Sequence, residues 1–101
     1  MIIAKVVGSV VSTSKAEKLQ GKKMLIVQPL DMERIELDGK PLVSIDTVGS
    51  GVGEIVMVVG GSSARQTLIT KDTPVDSAIV GVIDHIEIEG ETTFKAHEGG
   101  S

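Results

Sequence analysis

Apolar and polar positions alternate along residues 2–11. Ile2, Ala4, Val6, Gly8 and Val10 fall on one face of an extended chain, and Ile3, Lys5, Val7, Ser9 and Val11 on the other. A period of two predicts a strand with an inward face. Its outer face is apolar as well, at Ile3, Val7 and Val11. Residues 23–29, 42–48 and 54–59 are short runs rich in Val, Ile, Leu and Met, and they predict three more strands. Pro29 ends the first of these or marks a sheet edge. Residues 78–89 predict one long strand. Val80, Val82, Asp84, Ile86 and Ile88 share one of its faces, and Gly81 allows a bend or bulge. Gly90 turns the chain into a last short strand at 92–96.

The connections carry their own signals. Residues 12–22 are polar and charged, and predict an exposed loop or a protruding contact loop. Residues 31–41 are charged and contain Asp38-Gly39, a two-residue hairpin signal. Residues 46–54 place three alternate glycines (Gly49, Gly51 and Gly53) between Asp46 and Glu54. Such a loop cradles an anion on its amides or forms a turn at a packing contact. The phosphate reading lacks the Gly-Lys-Ser/Thr ending of a Walker loop, and Glu54 stands where it repels phosphate. The dinucleotide reading lacks both the glycine spacing and the helix that must follow. A turn at a packing contact is therefore favoured. After Gly60-Gly61, Ser63 and Gln66 have capping-box spacing and predict a short helix over 63–68.

A chain of 101 residues predicts one domain, here residues 1–96, with a flexible tail at 97–101. Phe94 is the one aromatic residue, so the core must be aliphatic. The net charge of −4 argues against a nucleic-acid partner, and the lack of aromatics argues against stacked bases. With no cysteine there is no disulfide and no thiolate chemistry, which fits a reducing cytosol. The start of the chain has no basic region of a signal peptide, and no run is long enough to span a membrane. The runs near Ile26, Ile55, Val59 and Ile83 are apolar on both faces, more than one small barrel buries. That surplus predicts a homo-oligomer.

Candidate chemistry is sparse. Asp46, Asp76 and Asp84 lie beside apolar runs. Either they converge as a catalytic or metal site, or each accepts hydrogen bonds from loop amides or pairs with Arg65. The second reading is favoured. Asp84 interrupts an apolar face and is the best candidate for a buried ion pair, across a subunit boundary if not within one. His85 and His97 are not placed as a metal pair, and Ser62 and Ser63 lack a general base and the nucleophile-elbow spacing. Arg65, in the short helix beside a glycine turn, suits bidentate bonding, with Glu54 and Asp76 as candidate partners. No catalytic residue, metal or cofactor is assigned.

In combination, these residues resemble the bacterial microcompartment vertex proteins of the EutN/CcmL family. The matching features are Val6, Gly8, Val10, Val11 and Thr13; Asp46, Gly49, Gly51, Gly53 and Glu54; Gly61, Ser62, Ser63, Ala64 and Arg65; and Pro74-Val75-Asp76 leading to Asp84. Ser50 stands where the family often has alanine. The resemblance implies an all-β fold, a small five-stranded OB-like barrel with one short helix, assembled as a cyclic homopentamer. It implies a structural, non-enzymatic part of a cytoplasmic microcompartment shell. There the pentamer caps vertices between facets of hexameric shell proteins, without nucleic acid or membrane. On this reading, Asp46, Gly49, Ser50, Gly51, Gly53 and Glu54 form an interface or pore loop. Ser62, Ser63, Ala64 and Arg65 form an interface helix, and Asp76 and Asp84 are interface or structural carboxylates. The alternatives are an oligomeric OB-fold module that binds nucleic acid or a small anion, and a small enzyme or ligand-binding ring with its site between subunits.

Overall fold

Five of the aliphatic runs form the wall of one closed barrel. A computed structural model describes residues 1–11, 23–60 and 77–96. The barrel strands are β1 (Ile2–Val10), β2 (Met24–Pro29), β3 (Leu42–Asp46), β4 (Ile55–Gly60) and β5 (Ser77–Val82). They close in the order β1-β2-β3-β5-β4. All neighbours are antiparallel except β3 and β5, which run parallel and pair at Ile45 with Ala78 and Asp46 with Ile79. The all-β, five-stranded barrel read from the sequence is therefore present. The helix expected over 63–68, the 12–22 loop and the 97–101 tail lie outside the described residues.

Every wall strand contributes to one aliphatic core. Ala4 and Val6 come from β1, Leu25 and Val27 from β2, Val56 and Val58 from β4, and Ile79 from β5, with Leu42 of β3 packed against them. Branched aliphatic side chains fill so narrow an interior without needing a ring. A second cluster (Ile45, Val59 and Ala78, with Met24 and Val80) uses the opposite faces of β2 to β5, and so lies outside the barrel. Part of the apolar surplus predicted from sequence is thus buried within the chain.

Three local expectations need correction. The register of β1 against β2 shifts between Val6 and Gly8, so Val7 is an extra residue. Beyond this bulge the faces exchange. Gly8 now shares the outer face with Ile26, whose Cδ1 lies 3.5 Å from where a Gly8 Cβ would stand. Gly8 and Val10 are not inward residues. The long strand expected over 78–89 is broken: β5 ends at Val82, and β6 (His85–Ile88) pairs with β7 (Glu91–Lys95) as a separate hairpin. Ile83 N donates back to the barrel at Ile55 O (2.8 Å), and Ala96 N closes the hairpin base on Asp84 O at 2.9 Å. The bend or bulge expected near Gly81 is present as a bulge at its neighbour Val80, because Met57 pairs with Gly81 and Val58 with Ile79. Finally, Asp38-Gly39 is not the tip of a two-residue hairpin. The 30–41 segment folds as a side arm, with Leu30 bridged to Leu37 and its turn at 32–34. Asp38 N instead bonds to Pro29 O at 2.9 Å, and Gln28 Nε2 to Gly39 O at 2.9 Å.

Candidate functional site

The glycine loop joins β3 to β4 and is organised by two carboxylates of its own. Asp46 ends β3, with its side chain 2% exposed. Its Oδ1 accepts from Val48 N at 3.1 Å and from Ser50 Oγ at 2.9 Å, and Ser50 is fully buried. This is the Asx arrangement by which a short carboxylate fixes a turn. At the far end, Glu54 folds back so that Gly51 N donates to its Oε1 at 2.6 Å. Gly49 and Gly53 take positive φ values of 80° and 96°, the left-handed region that glycine enters without a Cβ penalty. Gly51 does not. It carries the amide that meets Glu54.

The loop is then tied to the barrel. Gly53 N donates to Val6 O at 2.8 Å, and Val6 N donates to Glu54 O at 2.9 Å. Val6 thus fills the core with its side chain and holds the loop with its backbone. Lys23, at the entry to β2, donates from Nζ to Ser50 O at 2.6 Å and stands 3.7 Å from Asp46 Oδ2. The backbone repeats the link, with Asp46 N donating to Lys23 O at 2.9 Å. Burial alone pushes the Asp46 carboxyl up. The amides of Val48 and Ser50, the Ser50 hydroxyl and the Lys23 charge outweigh it and hold the group below its ordinary value.

This geometry bears on the anion reading. Two of the loop amides that a phosphate would seek, Val48 N and Gly51 N, already face the loop's own carboxylates. The loop is a prebuilt shape that supplies its own anions.

Asp46, Gly49, Ser50, Gly51, Gly53 and Glu54 are therefore brought together as one structural unit. Ser62, Ser63, Ala64, Arg65 and Asp76 lie outside the described residues. Asp84 is apart from the loop and exposed, in the two-residue link between β5 and β6. The reading of Asp84 as a carboxylate on an inward strand face fails within the chain, because the strand ends before it. Two polar features escaped the sequence reading. Lys23 is one; its partners are 23 and 27 residues away along the chain, and no local pattern marks it. The other is the Ser44/Ser77 pair, whose buried hydroxyls lie 2.7 Å apart. Ser77 Oγ donates to Val43 O at 2.8 Å, which leaves Ser44 as the donor between the two hydroxyls. The alternation of Leu42, Ser44 and Asp46 on one face of β3 was the available signal.

The chain matches known proteins over most of its length. The family model described as "Ethanolamine utilisation protein EutN/carboxysome" matches residues 1–84. The microcompartment shell vertex protein GrpN of Rhodospirillum rubrum is 49% identical over 87 residues, covering 86% of this chain and 97% of that protein. The solved structure of CcmL from Nostoc sp. PCC 7120 superposes with a TM-score of 0.88 at 44% identity, covering 94% of this chain and 99% of that one. The structure of GrpN, a pentameric microcompartment shell protein, gives a TM-score of 0.78 and covers 87% of this chain and 99% of its own. With its barrel, its glycine loop and these matches in register along the chain, the protein belongs to the EutN/CcmL family.

Proposed function

We propose that this chain is a structural shell protein of a bacterial microcompartment, a cyclic homopentamer that caps the vertices of a polyhedral shell. The observation that carries the reading is the near full-length similarity to GrpN, itself a pentameric shell protein. The physics is consistent with it. A flat hexagonal layer cannot close without fivefold corners, and a ring built from one repeated head-to-tail contact supplies them. The role needs shape rather than chemistry, and the glycine loop is built as a fixed shape. Hexameric facet proteins are the partners this function requires, and the shell in the cytoplasm is its place.

The loop residues Asp46, Gly49, Ser50, Gly51, Gly53 and Glu54 are proposed to present the ring contact or line its axis. Ser62, Ser63, Ala64 and Arg65, with Asp76 and Asp84, are proposed to flank it. Residues 1–96 act as the single domain.

Native mass spectrometry tests the reading. Five copies of a 10.5 kDa chain give about 52.5 kDa. That mass, followed by closure of shells when the ring is mixed with hexameric facet proteins, is the expected result. A chain that stays monomeric at micromolar concentration, or shells that close equally well without it, would overturn the proposal.

A further inference from the structure

The end of the β1-β2 pair away from Lys23 and the glycine loop carries an apolar cleft. A hollow of about 410 Å³ opens there between the start of β1, the side arm and Ile88 of the hairpin. Leu30 is buried in it, and Ile3 and Ile88 are half-buried. Met1, Ile2 and Met32 complete the apolar lining, at 83%, 40% and 53% exposure. A neighbouring hollow of about 310 Å³ shares Glu33 and Ile88 with the first and continues it along the hairpin turn. The walls are held in place. Leu30 N donates to Ile3 O at 2.9 Å, which ties the arm to β1. In the hairpin, Ile86 pairs with Phe94 and Glu87 with Thr92, so Thr93 is an extra residue of β7. Such a bulge re-aims a side chain, and the Thr93 hydroxyl donates to Met32 O at 2.8 Å. Two elements far apart in sequence are thus clasped around one opening.

The border of the cleft has one sign. Asp31, Glu33 and Asp38 line the larger hollow, and Glu89 and Glu91 the smaller. Arg34 and Lys40 belong to the same arm but line neither, and no other lysine or arginine among the described residues does. Among the described residues no three acidic or histidine side chains are grouped to hold a metal ion. The charge is spread around an apolar centre instead. A second copy of this chain would set the same five carboxylates against these, and a nucleic acid would set phosphates against them. Like charge disfavours both.

We infer that this cleft docks a segment of another protein whose apolar side chains are bordered by lysine or arginine. The apolar centre gives the binding energy, and the acidic border selects the partner's sign. Met1, Ile2 and Met32, exposed in the free chain, become covered. The bulge at Thr93 then has a duty, since its bond to Met32 O keeps arm and hairpin at a fixed spacing. The cleft lies away from the glycine loop, so this inference is independent of the ring and stands or falls without it.

Fluorescence anisotropy tests it with two labelled synthetic peptides, one of leucine and lysine and the other with glutamate in place of each lysine. The full chain should bind the lysine peptide saturably, one per copy, and should not bind the glutamate peptide. Met32→Asp, which charges the apolar centre, and the double variant Glu33→Lys/Glu91→Lys, which reverses the border, should each weaken binding about tenfold or more. Glu87→Lys lies in the same hairpin but lines neither hollow, and should leave binding unchanged. All the altered side chains are exposed, and an unchanged circular dichroism spectrum shows that each variant keeps its barrel. Equal binding by every variant would mean general attraction between opposite charges and would overturn the inference. So would no binding of the lysine peptide, or equal binding of the glutamate peptide. A lower native mass for Met32→Asp than for the unmodified protein would show a second copy in the cleft and overturn it as well.

Discussion

The glycine loop and the side arm use the same devices at different depths. Each begins with an aspartate that caps two groups downstream. Asp46 takes Val48 N and Ser50 Oγ, and Asp31 takes Glu33 N at 2.7 Å and Arg34 N at 3.3 Å. Each is tied to a distant strand by a polar side chain, Lys23 in the loop and Thr93 in the arm, whose hydroxyl donates to Met32 O at 2.8 Å. The loop buries its aspartate and its serine. The arm leaves Asp31, Met32 and Leu37 exposed. The loop also places glycine where φ is positive, whereas the arm places Ile35 there, at 55°. The comparison teaches that a capping pattern defines a turn, but burial decides how firmly it is held. The buried version gives the loop a fixed shape, which is what the proposed ring contact asks of it.

The largest effect should come from Asp46→Ala. It removes the acceptor of a buried hydroxyl and a part-buried amide and leaves Lys23 without its carboxylate. Stability should fall by about 2–3 kcal/mol, read as a lower urea midpoint. Asp31→Ala is the matched control. Its turn is solvated, and the loss should stay below about 0.5 kcal/mol. Equal losses at the two sites would break the comparison.

Next comes the backbone. Gly53→Ala should cost about 1–2 kcal/mol through its φ of 96° alone, since no atom lies within 4 Å of the added Cβ. Ile35→Gly should act in the opposite sense and stabilise the arm by about 1 kcal/mol, because a β-branched residue leaves the left-handed region. Thermal unfolding of the two variants reads both signs at once. A destabilised Ile35→Gly would mean that the packing of the isoleucine outweighs its strain.

The smallest effect is the acid limb. Asp46 titrates below its unfolded value of 3.8. A depressed carboxylate contributes stability that is fully present above the unfolded pKa and is lost as pH falls through the folded one. Urea midpoints measured from pH 6 to pH 2.5 should therefore drop more steeply below about pH 4 for the unmodified protein than for Asp46→Asn. Parallel curves would show that Asp46 gives the loop no acid sensitivity.

The elements legible in sequence are those set by local pattern. Alternation along residues 2–6 marks the inward Ala4 and Val6, and short β-branched runs mark β2, β3 and β4. The reading of Asp46 as a cap for loop amides also holds. What escaped is set by events a period-two pattern cannot register. One inserted residue at Val7 exchanges the faces of β1 without changing its composition. Ile83 and Asp84 continue the alternation of β5 into β6, so the break is invisible until the hairpin pairs with itself. Asp38-Gly39 carries a strong turn signal, but Leu30 pairs with Leu37 and the turn moves inside that bridge. Lys23 finds Asp46 only after β2 and β3 have met.

The parallel pairing of β3 with β5 has a kinetic consequence. It is the shortest ladder in the barrel, two residue pairs supplemented by the Ser44, Ser77 and Thr47 hydroxyls, and it joins positions 33 apart in the chain. Every other wall pair is antiparallel. With the fewest ladder pairs to hold it, this seam should part first when the barrel breathes. In the free chain, the amide proton of Thr47, which donates to Ile79 O across this seam, should then exchange faster than those of β1 and β2, which share a longer ladder.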